Sequence, residues 1–154
     1  MPFLNARDSI SGQEGRAYAK VDGVVEELFY IKTLEATVEK EKAEIKTLGR
    51  RGTQHKAVGW SGSGSMTIYY VTSYFRKMMY TYIKTGKDVY FEISVTNEDP
   101  TSTIGAQTVV LKGCNLDSVI VAKLDTESDA LDEEVSFTFD DLEIPEQFKA
   151  PSAN

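Results

Sequence analysis

The chain is poor in the residues on which most protein chemistry depends. It has one cysteine, Cys114, and one histidine, His55. A lone cysteine closes no internal disulfide, and this pair cannot supply the ligands of a structural zinc site. Neither a metal nor a cofactor is expected. Long hydrophobic runs are missing too. The longest wholly aliphatic stretch, Val119 to Ala122, is far too short to span a bilayer, and Met1 to Ile10 has no basic start leading into an apolar segment. The chain therefore reads as a cytoplasmic product with no membrane insertion. Bases are nearly absent from Asn115 to Glu146, where Lys123 stands alone among many acids. With a net charge of -7 the composition argues against a protein built to bind nucleic acid.

What the chain does have is alternation. Apolar residues recur mostly at every second position, the period of half-buried strands. Arg16 to Val21 and a strand from Val24 onward flank Asp22-Gly23, a pair suited to a type I′ hairpin because both positions must accept positive φ. That second strand reads as long, with Leu34, Ala36 and Val38 on one face and Glu35, Thr37, Glu39 and Glu41 on the other. From Ser63 onward Met66, Ile68 and Tyr70 oppose Ser65, Thr67 and Tyr69. Val89, Phe91, Ile93 and Val95 oppose Glu92, Ser94 and Thr96, and Val135, Phe137 and Phe139 oppose Glu134, Ser136 and Thr138. Each apolar face has a hydroxyl-rich or acidic back.

One helix is predicted over about 73–85. Thr72 or Ser73 caps its start, Gly86 ends it, and Tyr74, Phe75, Met78, Met79, Tyr82 and Ile83 form a core-packing stripe. Asn97 to Gly105, with Pro100, reads as a polar hairpin loop, and Pro145 and Pro151 mark a tail leaving the domain. The expectation is one domain, mainly β with one α-helix. Its parts are an N-terminal arm over 1–15, a β domain over 16–148 with a basic loop over about 46–62, and a tail over 149–154.

No motif carries catalysis. Asp125, Glu127 and Asp129 have the alternate spacing of a calcium loop, but Ala130 stands where glycine is needed and Ser136 where the bidentate glutamate belongs, so a solvated acidic turn is expected. Gly49-Arg50-Arg51-Gly52 resembles the clamp loop of a KH domain, yet it follows a strand instead of joining two helices. Gly59, Gly62 and Gly64 precede a strand, so no helix N-terminus is there to hold a phosphate, and they read as flexibility. His55 lies in a loop without an orienting partner for a nucleophile, and Cys114 reads as a small buried hydrophobe. The lone Trp60 either seals the local core or anchors another chain.

The charge pattern is sharper. Lys46, Arg50, Arg51 and Lys56 share a stretch without a single acid, against the acidic run toward the C-terminus. Opposite patches at different places on one chain make a heterologous contact between copies, which closes into a ring or continues as a filament. On that reading Arg50, Arg51, Lys56 and Trp60 meet Asp132, Glu133, Asp140 and Asp141 of a neighbouring copy.

Four runs carry a family likeness: Leu48 to Ser73 (LGRRGTQHKAVGWSGSGSMTIYYVTS), Thr85 to Tyr90 (TGKDVY), Val110 to Asp125 (VLKGCNLDSVIVAKLD) and Leu131 to Phe148 (LDEEVSFTFDDLEIPEQF). In order and spacing they resemble the tail-tube proteins of contractile phages and PBSX-like prophages, the XkdM-like family, over nearly the whole chain after about Arg16. The resemblance implies a small antiparallel β-barrel or sandwich of the Hcp-like type with one flanking helix, and a structural role without enzymatic activity. It implies hexameric rings stacked into a hollow tube inside a contractile sheath, with baseplate and tail-terminator proteins at the ends and DNA passing through the lumen. The expected location is a virion tail or phage-tail-like particle, assembled in the bacterial host cytoplasm. R-type bacteriocin and type VI secretion tubes are similar without a genome and form the alternative; a small nucleic-acid-binding β module is the alternative from another class. If the polar sides of the long strands line the channel, Glu35, Thr37, Glu39, Ser65 and Thr67 present small or negative groups that repel phosphate.

Overall fold

The structure, a computed structural model, describes residues 5–11, 15–21, 23–27, 31–70 and 73–150. Within them the strands β1 (Gly15–Val21), β2 (Val24–Glu27), β3 (Ile31–Ile45) and β4 (Gln54–Tyr69) precede the helix α1 (Tyr74–Thr85). β5 (Phe91–Glu98), β6 (Ala106–Ser118), β7 (Asp132–Phe139) and β8 (Asp141–Glu146) follow it. The strand order is β2-β1-β5-β6-β7-β4-β3, with β8 also on β6, and every pairing is antiparallel.

β6 joins the two halves of this sheet. Its first part pairs with β5 and β8 and its last part with β7. Between them Gly113 takes φ +65°, and the register with β5 slips between Ile93–Leu111 and Phe91–Cys114. Such a bulge bends a strand and raises its twist. Here it helps curl the sheet into a half-barrel.

Inside the curl lies the core: Met66 and Ile68 of β4, Phe75 and Met78 of α1, Phe91 and Ile93 of β5, Leu111 and Cys114 of β6, and Val135, Phe137 and Phe139 of β7. On β4, β5 and β7 these are the alternate residues that the sequence pattern singles out. Burial pushes the Cys114 thiol up to about 12, so it stays protonated, a buried hydrophobe as expected.

Gly62 and Gly64 are not a flexible lead-in, because both lie within β4 opposite Phe139 and Phe137. The Phe139 ring fills the place of a Gly62 side chain. At Gly64 a Cβ would stand 2.5 Å from Phe137 Cζ and 2.9 Å from the Glu35 carbonyl oxygen. The glycines are seats for two aromatic rings.

Other expectations shift in ways the geometry explains. The long strand from Val24 is in fact two strands, β2 paired with β1 and β3 paired with β4, with residues 28–30 outside the described ones. Asp22 is also outside them, but Val21 pairs with Val24 and Gly23 has φ +82°, as a tight hairpin requires. Ser73 holds the N-cap position without a capping bond, since φ -104° and ψ 12° depart from the extended conformation that aims a capping oxygen at the first turn. Thr72 is not described. Gly86 ends α1 in the left-handed conformation, as predicted. Of the helix stripe, Phe75 and Met78 are buried while Tyr82 and Ile83 are exposed, because the last turn passes beyond the core. Pro145 does not open a tail. It lies in β8, near a slip in the pairing with β6, and proline is tolerated at edges and bulges. Beyond β8 the Lys149 N–H still donates to the Ile104 carbonyl at 2.7 Å.

The N-terminal segment is tied down by two carboxylates. Buried Asp8 accepts from the Thr103 hydroxyl, and Asp99 accepts the Ser11 N–H at 3.0 Å. The Thr101 hydroxyl, then the Ser11 and Thr101 N–H groups, hold the Asp99 carboxyl below its ordinary range.

Gly64→Ala is expected to lower stability by about 1–3 kcal/mol, the cost of overpacking against Phe137. A urea melt reads this as a lower midpoint at unchanged slope, and an unchanged midpoint would show that the ring has room to move.

Candidate functional site

β6, β7, β4 and β3 make a wall with two unlike faces. Residues directly opposite each other in antiparallel strands share a side. The register sets Thr33 against Thr67, Glu35 against Ser65, Thr37 against Ser63 and Glu39 against Ser61. It continues with Thr67 against Glu134, Ser65 against Ser136 and Ser63 against Thr138, then with Asn115 against Thr138 and Ser118 against Ser136. Glu35, Thr37, Glu39, Ser65 and Thr67 thus share one polar face spanning four strands. Ser61, Ser118 and Ser136 extend it, and the Ser118 and Ser136 hydroxyls meet at 2.6 Å. At one end Lys32 and Lys123 both grip Asp132, at 3.1 and 3.2 Å, and Lys32 lies 5.4 Å from the Tyr69 ring centre.

Beyond this wall the β3–β4 hairpin continues alone. β4 pairs with β7 only from Gly62 to Tyr69; from Gln54 to Ser61 its only partner among the described residues is β3. The basic loop expected over 46–62 is therefore a short turn region on a two-stranded ribbon. Lys56 and Trp60 are strand residues, and so is His55, which faces Glu44. Glycines and a register slip between Glu41 and Lys42 hid the alternation there. Arg50 and Arg51 are exposed in the turn region. Gly49-Arg50-Arg51-Gly52 joins two strands, so the geometry of a KH clamp is not formed. Trp60 meets the end of the core, its ring centre 6.3 Å from that of Phe139, while 44 % of the residue stays exposed.

The acids expected to meet these bases fall into two groups. Asp140 and Asp141 are exposed. Asp132 is engaged within its own chain, and its bonds to Lys32 and then Lys123 hold its carboxyl below the ordinary range. Glu133, expected at the interface, is 1 % exposed and presents no carboxylate at the surface. Asp132 and Glu134 take the polar side of β7, so Glu133, one residue between them and opposite Ile68, faces the core. It bonds Arg76 of α1 at 2.5 Å, and the Arg76 guanidinium lies 4.3 Å from the Tyr70 ring centre. Burial pushes the Glu133 carboxyl above its ordinary range, against the pull of Arg76. Sequence alternation could have flagged Glu133, as the one acid at an apolar position of β7.

Among the described residues no group of three or more His, Cys, Asp or Glu side chains could hold a metal ion. Asp125 accepts the Glu127 N–H at 3.0 Å within an exposed turn, the acidic turn that the sequence suggested.

Among the described residues the chain thus sets side by side a strand wall with one face of hydroxyls and acids, an outer strand paired on one side, and a basic ribbon that continues beyond the wall. The chain belongs to the phage tail tube protein family, which matches residues 2–146. It is 46% identical to the phage-like element PBSX protein XkdM of Bacillus subtilis over 144 residues, covering 94% of this chain and 95% of that protein. Two cryo-EM structures share the fold. One is a chain of the six-fold symmetrised baseplate of the anti-feeding prophage, at TM-score 0.65 and 11% identity over 94% of this chain and 95% of that one. The other belongs to the extended sheath-tube complex of the PVC extracellular contractile injection system, at TM-score 0.64 and 12% identity over 88% of this chain and 90% of that one. The mainly β tail-tube fold expected from the sequence is the fold observed, and the family is one of structural proteins of phages and phage-like particles.

Glu133→Ala is expected to cost about 3 kcal/mol, because it leaves the Arg76 charge largely desolvated without its carboxylate. Replacing both partners by leucine should recover most of that loss in the same denaturation experiment; equal losses for the single and double variants would count against the ion pair as the clamp between α1 and the wall.

Proposed function

We propose that this chain is the inner-tube subunit of a contractile phage tail or phage-tail-like particle, closing as hexameric rings that stack into a tube through which DNA passes. The observation that carries this is the four-strand wall, whose last strand, β3, is fifteen residues long and pairs on one side only among the described residues. A long open edge invites indiscriminate strand pairing in a solitary protein. Joined edge to edge with the next copy, the same strand becomes part of a closed barrel. Six copies of four strands give about 24 strands, and usual strand spacing and tilt make that barrel roughly 50 Å across its backbone and about 35 Å inside its side chains. Such a bore has room for a DNA duplex.

The polar face supplies the lining. Glu35, Thr37, Glu39, Ser65 and Thr67 turn toward the lumen, where carboxylates repel phosphate and hydroxyls offer no net charge to hold it. The opposite side of the wall carries the core and α1, so the helix faces outward, toward a sheath. Baseplate and terminator proteins close the ends of the tube. Arg50, Arg51 and Lys56 on the ribbon reach a neighbouring copy, where Asp140 and Asp141 are the exposed acids available to meet them.

Concentrated purified protein is expected to show annuli or hollow rods in negative stain, and compact particles at every concentration would overturn the tube reading. Charge reversal by Arg50→Glu with Arg51→Glu should cut tube yield about tenfold or more, equivalent to at least about 1.4 kcal/mol per contact, with an unchanged urea midpoint. Undiminished tubes would remove these two arginines from the interface.

A further inference from the structure

The wall has a second open margin. Beyond Cys114, β6 pairs only with β7 among the described residues, so the far side of residues 115–118 carries no strand there. Behind this margin an open pocket of about 170 Å³ lies between the end of α1 and β6. Met79, Tyr82 and Leu116 give it an apolar wall, and Asp88 and Asp117 bring two carboxylates. Asp117 is the extra residue where the register with β7 slips between Leu116 and Ser118, and a bulge of this kind re-aims a side chain. Asp117 is exposed, and its carboxylate has no hydrogen bond or ion pair among the described residues. Asp88 accepts only the N–H of Val89, at 3.0 Å. Lys84 lies 5.8 Å from the Tyr80 ring centre and pairs with neither acid.

The back of β3 is the complement. Leu34, Ala36 and Val38 run along it with little cover from their own chain, and Lys40 follows them, opposite Trp60. The Lys40 ammonium is exposed and likewise has no partner among the described residues. Four strands in a row, each antiparallel to the next, run β6 and β3 in opposite senses. The free side of β3 in one copy thus meets the free side of β6 in another as an antiparallel pair, like every pairing within the chain.

Register selects the lysine. Leu116, Phe137, Gly64 and Ala36 form one row across the wall. A barrel tilt of about 35° shifts neighbouring strands by about one residue each, hence a four-strand copy by about four. Four residues along β3 from Ala36 stand Lys40 on one side and Lys32 on the other. Lys32 is held on the polar face by Asp132, which leaves Lys40 to enter the row of Leu116 in the next copy.

We propose that β3 of one copy pairs with residues 115–118 of the next copy in the same ring, and that Lys40 enters the pocket between α1 and β6. Its stem lies against Met79 and Tyr82 and its ammonium between Asp88 and Asp117, as a long cationic side chain covers apolar surface while its head stays with polar groups. The proposal rests on the tube-subunit reading and names the joint that closes its ring. The pocket is incomplete in its own chain, because the next copy supplies the cation. A contact between two different patches of one molecule closes into a ring when its rotation allows.

Lys40→Asp is expected to lower the yield of rings and tubes about tenfold or more, and the exchange Lys40→Asp/Asp117→Lys to recover most of it. Both positions are exposed, so the urea midpoint stays unchanged in each variant. In a Lys40→Cys/Asp117→Cys variant, a short bismaleimide applied to assembled tubes should give a ladder of covalent oligomers that stops at the hexamer. Cys114 is buried and does not compete. An undiminished yield for Lys40→Asp, an exchange that recovers nothing, a cysteine pair that stays monomeric on the gel, or a ladder that runs past the hexamer would overturn this joint and leave the tube reading standing. Wild-type protein that never forms rings or rods would overturn both.

Discussion

The seating of Phe139 and Phe137 against the bare backbone of Gly62 and Gly64 is the contact on which the wall depends. It closes the core directly beneath β4. Past that line β3 has little left to bury: Leu34 is half-covered, and Ala36 and Val38 are exposed. β3 is held by its ladder with β4, and its polar side presents Glu35, Thr37 and Glu39. Compact packing on one side of β4 and an almost core-free strand on the other give the subunit a finished body and an unfinished rim.

The same division explains where charge is buried and where it is not. Glu133 faces inward and is matched by Arg76, so α1 is fixed to the back of the wall by a partly desolvated pair as well as by Phe75 and Met78. Asp132, one residue earlier, faces the polar side and is shared by two lysines. Strand alternation makes neighbouring acids of one run do opposite work, one locking the helix and the other neutralising the end of the polar face.

Much of the fold was legible because alternation is a local property. β1, β5, β7 and the inner half of β4 declare themselves by period two, and the polar residues of β3 and β4 were grouped on one side before any register was known. β6 is harder to read as a strand, since it pairs into both halves of the sheet and changes faces at Gly113. The ribbon is hard to read for a related reason. A strand with no third partner needs no apolar face, so Gln54 to Trp60 carries no hydrophobic period and its glycines look like loop. Glu133 reads as a surface acid because composition counts acids without asking which parity each occupies. Which acids remain free for a neighbour is a property of tertiary pairing, visible only once Lys32, Arg76 and Lys123 have been placed.

A hairpin extending past its sheet also sets the timing of order. Fixing each backbone residue costs about 1–2 kcal/mol of conformational entropy, and two strands without a third are marginal in water. In a solitary subunit the ribbon is thus held less tightly than the wall it extends from, and in the proposed tube a growing end that already presents an ordered counterpart would remove most of that handicap for each arrival. In the proposed tube, elongation would then outrun spontaneous initiation, so that free subunits could accumulate while polymer growth is reserved for the place where a starter complex stands.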